Sequence, residues 1–187
     1  MLLSSSLHYY ITVSVAAALM AHATYTDLKR REIDNETVLI GIVAGLILGL
    51  LAGGARGIGL SAGGLVLGFG VFFVLSLTGG MEAGDVKLMG AVGALTGWPL
   101  ILSALLHVVI AGFFLAILWV VIEGNLGRTM KNLWIMIKSW ILPRRKRVSL
   151  EELETSSLPY GVAIAAGTLW TLAAVKFPAI DLMKILL

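Results

Sequence analysis

Two aspartates carry most of the chemistry that this sequence can offer. Asp85 lies in GGMEAGDVKLMGAVGALTG (79–97), where Gly84 and Val86 flank it at the head of an apolar run. Asp27 lies in TYTDLKRREIDN (24–35), at the close of another apolar run. An ionisable group at membrane depth is costly and is a functional candidate by default. Two carboxylates brought within hydrogen-bonding reach cannot both stay ionised, so one keeps a proton and the pair titrates as a unit. Such a pair can hydrolyse a peptide bond: the ionised member takes a proton from water, and the neutral member hydrogen-bonds the oxyanion and protonates the leaving amine. Gly84 suits this chemistry because it lets an extended backbone come close. Each aspartate also has a plain structural reading. Asp27 could pair with Lys29 or Arg30 at an interface, and Asp85, opening a helix, could act as a cap.

Other chemistries find little support. There is no cysteine, which excludes disulfides and thiolate nucleophiles. His8, His22 and His107 are scattered, and no metal-ligating set or cofactor is expected. His22 precedes Asp27 by five positions, off its helical face; it reads as a packing histidine, with a proton relay as the alternative.

The elements that must position the two acids follow from composition. Of the 187 residues, 58% are hydrophobic and only 13% are charged, against about 25% charged in a soluble domain. The expectation is an all-α, polytopic integral membrane helix bundle forming one domain over 1–187. A span needs about 20 apolar residues, which places about six transmembrane helices near 8–26, 36–53, 57–79, 84–97, 99–122 and 159–177. Residues 8–26 are followed, not preceded, by basic residues, so they read as a retained first helix with its N-terminus outside.

Eleven of the 14 basic residues fall in segments 27–35, 79–87 and 123–158, which makes these the cytosolic side. Asp27 and Asp85 emerge on that side together. The loop 124–157 is expected to contain an interfacial amphipathic helix. Arg128, Lys131, Asn132, Lys138 and Ser139 occupy one of its faces, and Met130, Leu133, Trp134, Ile137 and Ile141 the other. Such a helix favours anionic lipid headgroups, and no nucleic-acid partner is expected. Gly41, Gly45, Gly49 and Gly53, spaced by four, read as a helix-packing stripe.

Three blocks of the sequence resemble the type IV prepilin peptidase family, membrane aspartic proteases of the GxGD type. DLKRREIDN (27–35) is similar to its D-x5-I-P-[ND] element, GDVKLMGAVGALTG (84–97) to its G-D-x-K-L block, and LPYGVAIAAG (158–167) to the start of its last helix. The resemblance implies that Asp27 and Asp85 are the catalytic pair. It implies supporting or substrate-binding roles for Gly84, Lys87, Glu82, Asn35, Pro159, Tyr160 and Gly161. It further implies a multi-pass plasma-membrane protein that removes a basic leader from prepilins at the cytosolic face.

The short form resembles the peptidases of Tad-type pili or archaeal relatives, and no methyltransferase part is implied. Glu82 stands where the family has glycine, and Asp34 where it usually has proline. Glu82 either meets the basic leader outside the pocket or crowds the pair with a third negative charge. Lys87 either orients Asp85 or binds lipid headgroups. A proton- or ion-coupled transporter and a non-catalytic scaffold of a pilus or secretion machine are the alternatives.

Overall fold

A computed structural model describes residues 5–77, 81–122 and 159–183, and all regular structure among them is helical. The expected amphipathic helix within 124–157 lies outside the described residues. The elements are α1 (Ser5–Arg30), α2 (Asn35–Ser76), α3 (Ala83–Thr96), α4 (Leu100–Ile122) and α5 (Tyr160–Lys176), with a 3-10 turn at Pro178–Ile180. Prolines, which fit the start of a helix but not its interior, mark three of these boundaries: Pro99 precedes α4, Pro159 precedes α5 and Pro178 opens the 3-10 turn. α2 and α4 are long and apolar enough to cross a membrane.

Two boundaries differ from the sequence reading. α1 runs to Arg30, past the expected end at 26, so Asp27 belongs to its last turn. The expected helices 36–53 and 57–79 are two arms of α2, joined at one non-helical residue, Gly54, with φ 59° and ψ −139°. Only glycine adopts that conformation readily, so the chain reverses without a loop. The two arms run antiparallel: the Ser61 hydroxyl donates to the Gly45 carbonyl at 3.2 Å, and Gly57 packs backbone to backbone on Gly49.

α3 is the interior helix. At 14 residues it is about 21 Å long at ~1.5 Å per residue, less than the roughly 30 Å of a hydrocarbon core. It is nonetheless buried almost throughout, with Leu88, Met89, Val92 and Ala94 at most 1% exposed. Its partners are the glycines of both α2 arms. A Cβ on Gly45 would lie 2.5 Å from the Ala94 carbonyl carbon, and one on Gly68 would lie 2.5 Å from the Met89 oxygen. Gly64 and Gly93 touch through backbone atoms. In lipid, where apolar burial alone does not favour one helix contact over another, such close approach supplies the van der Waals attraction that holds helices together.

On the other side, Gly167 of α5 packs on Val108 of α4, and the Tyr9 hydroxyl of α1 donates to the Leu172 carbonyl of α5 at 2.9 Å. Outward-facing Val66, Val74, Phe113, Phe114 and Ile122 are each more than half exposed, an apolar surface suited to acyl chains.

The stripe of four glycines therefore divides. Gly41 and Gly45 receive α3 and Gly49 receives the second arm, whereas nothing lies within 4 Å of a Cβ on Gly53. Gly45→Val should destabilise the bundle by about 1–3 kcal/mol through overpacking, and Gly53→Ala should change it by less than about 0.5 kcal/mol. Unfolding of the two variants in mixed micelles measures the contrast.

Candidate functional site

The last turn of α1, the first turn of α3 and the first turn of α5 meet at one end of the bundle. Each brings a group that the sequence singled out. Asp27 and Asp85 are each only 6% exposed; Asp27 lies just past the expected span 8–26 and Asp85 at the head of the expected span 84–97. Asp27 Oδ2 accepts the Gly161 N–H at 2.9 Å. Gly161 is required at that position, because a Cβ there would lie 2.7 Å from the same oxygen. Pro159 occupies the cap position of α5, where the first N–H groups lack intrahelical partners, and the one on Gly161 is directed at Asp27.

Asp85 is held from its own helix. Glu82 takes the N-cap position of α3 and Asp85 the N3 position, and Asp85 Oδ2 accepts the Glu82 N–H over a long 3.4 Å. The expected N-cap role thus falls to Glu82, and Asp85 closes the capping box from N3 while buried within reach of the Asp27 charge. Gly84 admits Ile33, whose Cβ would sit 3.2 Å from a Cβ at that position, so the loop between α1 and α2 seats directly on the first turn of α3. Tyr160 lies within electrostatic reach of Asp85 and reaches across to Gly112 of α4.

The electrostatics of the two acids differ. Asp85 feels the negative charges of Asp27 and Glu82, opposed by its Glu82 N–H bond. Burial raises Asp27; the Gly161 N–H pulls it back, the Glu82 charge raises it again and Arg31 opposes. Removal from water and a neighbouring like charge both favour the protonated form. Two buried carboxyls that feel one another's charge favour keeping one proton between them. Asp85 is its preferred place, since the stronger backbone bond stabilises the ionised form of Asp27.

Lys87 and Asn35 are not part of this meeting point. Lys87 Nζ donates to Asn35 Oδ1 at 2.9 Å, tying α3 to the start of α2 beside an apolar cleft of about 350 Å³ lined by Val38, Leu65, Phe69 and Gly90. Of the two roles weighed for Lys87, orientation of Asp85 is not what this bond provides.

His22 does not pack in the interior. It is exposed and lies 3.3 Å from Asp34, which also accepts two bonds from Arg30 Nη2 at 2.9 and 3.1 Å. Asp34 thus gives the α1–α2 loop an ionic clasp. Sequence reasoning missed two further supports. Ile33 is one; its place in the D-x5-I spacing was the available signal. Arg31 is the other, with φ 56° and its guanidinium 5.7 Å from the Trp119 ring. No local signal announces a cation–π contact between residues so far apart in sequence.

A helical membrane protein with two buried carboxylates, on separate helix ends and within reach of each other's charge, is the class that fold and site define. The chain belongs to the type IV leader peptidase family, whose model matches residues 14–121, more than half of its length. Both aspartates fall inside the match; Pro159, Tyr160 and Gly161 lie beyond it. No curated protein and no solved structure matches the chain.

Glu82→Gln removes a negative charge that both aspartates feel, so ionisation of Asp27 becomes easier and its midpoint falls. Carboxyl-carbon NMR of aspartate-labelled protein in micelles, titrated beside the wild type, measures this downward shift.

Proposed function

We propose that the chain is an aspartic endopeptidase that removes short basic leaders from prepilin-like proteins at the cytosolic face of the membrane. Its membership of a leader peptidase family supports proteolysis in general and favours that reading over ion transport or a passive scaffold. The observation that carries the finer reading is the placement of Asp27 and Asp85. Both are buried, each is held by a backbone N–H, and they are close enough for one charge to act on the other.

In this mechanism Asp27 is the ionised member and Asp85 the neutral one. Asp27 takes a proton from a water molecule, whose oxygen attacks the carbonyl carbon of the scissile peptide. Asp85 hydrogen-bonds the developing oxyanion. Collapse of the tetrahedral intermediate breaks the C–N bond, and the amine leaves with the proton supplied by Asp85. Proton return from Asp27 to Asp85 restores the pair.

The leader's positive charge has a counterpart at the same end of the molecule, where Glu32, Glu36 and Glu82 are exposed. The bias of basic residues toward 27–35, 79–87 and 123–158 supports a cytosolic position for that end.

Asp27→Asn and Asp85→Asn should each reduce cleavage of a co-expressed prepilin, with a basic leader and a glycine junction, by at least about 10³-fold. Both proteins should still reach the membrane. Gly161→Ala, by displacing the Asp27 carboxylate, should cost about 10²-fold in kcat. Gel separation of precursor and mature pilin reads all three, and full cleavage by either asparagine variant would remove the aspartates from the mechanism.

A further inference from the structure

A second built feature lies at the end of the bundle opposite the aspartates. There the reversal of α2 and the C-terminus of α3 enclose a cup of about 280 Å³. His8, Arg56, Ser61, Thr96 and Trp98 are among the residues that line it, and no carboxylate does. The two hydroxyls are already committed, Ser61 to the Gly45 carbonyl at 3.2 Å and Thr96 to the Val92 carbonyl at 2.9 Å. Arg56 is exposed and makes no hydrogen bond or ion pair among the described residues. The His8 Nδ1 atom is buried and has no hydrogen-bond partner among them. A guanidinium and an orphaned imidazole nitrogen around one cup are complementary to an anion.

Trp98 belongs to a second hollow as well. It caps an apolar groove of about 900 Å³ along the second arm of α2, floored by Gly63, Val66, Gly70 and Val74 and reaching Leu75. The groove follows α2 from Ala62 to Leu75, roughly 20 Å at ~1.5 Å per residue, more than one leaflet of a hydrocarbon core about 30 Å thick. Its floor is open because Gly70 has nothing within 4 Å of a would-be Cβ. A polar, cationic cup and a leaflet-length apolar groove meet at a tryptophan, the side chain that settles at headgroup level in membranes. Their ligand must be amphiphilic.

We propose that the cup and groove bind one anionic glycerophospholipid, its phosphate beside Arg56 and His8 and an acyl chain along Gly63, Val66, Gly70 and Val74. A zwitterionic choline headgroup is a poorer match, because the cup has no carboxylate to receive the second charge. The proposal does not depend on the peptidase reading.

Native mass spectrometry of the purified full-length protein, titrated with phosphatidylglycerol or phosphatidylcholine of equal chain length, tests this. Wild-type protein should hold one phosphatidylglycerol about fivefold more tightly than phosphatidylcholine, the effect of roughly one basic side chain at a lipid headgroup. Arg56→Gln should abolish that preference. Gly70→Leu, which extends into open space, should weaken both lipids while circular dichroism shows unchanged helix. Equal affinity of wild type for the two lipids, or binding indifferent to both substitutions, overturns the proposal. Displacement of the lipid by glycerol phosphate alone also overturns it, since the cup would then be a site for soluble anions.

Discussion

The fold accepts a local cost: two carboxylates sit where little water reaches them, within reach of each other's charge and of a third. Burial raises the Asp27 carboxyl above the unfolded value of 3.8, so the folded state holds that proton more tightly than the unfolded state does. The contribution of this group to stability is therefore present at low pH and is lost as pH rises through its folded midpoint. Strain of this kind persists only where surrounding structure over-determines it.

That over-determination comes from backbone contact. α3 could not be tightly enclosed by the two arms of α2 if Gly45, Gly64 and Gly68 carried side chains, and Asp85 could not lie within reach of the Asp27 charge if α3 were displaced. Gly161 repeats the device at the site itself, bringing the start of α5 close enough for its N–H to reach Asp27. Glycine thus acts twice, first to place a helix and then to place a hydrogen bond. Glu82 caps α3 and adds a negative charge that both aspartates feel, so it acts on the electric field of the site as well as on its shape.

Much of this was legible in the sequence because lipid imposes a coarse and unforgiving pattern. Apolar runs marked the helices, prolines marked several of their ends, and the juxtaposition of Asp27 with Asp85 followed from counting spans. What could not be read is instructive. Gly54 is one of many glycines between 41 and 70, and residue type alone does not mark which of them takes a positive φ, so the sequence does not announce a one-residue reversal. The clasp of Arg30 and His22 on Asp34 required knowing that α1 continues for a turn beyond its apolar run. The bond between Lys87 and Asn35 links positions that the resemblance grouped with the acids but that face elsewhere. Long-range side-chain pairing leaves no periodic trace, and these were the features hidden for that reason.

The brevity of α3 has an implication for register. A helix that cannot reach across the bilayer has at least one end recessed, and the acid it carries stands at a depth set by its length and by the glycines that anchor it. On the peptidase reading, the enzyme works as a gauge: it meets whichever bond of an embedded substrate lies level with that end. Selection of the cutting point then rests on how far a hydrophobic segment sinks as well as on which residues surround the junction.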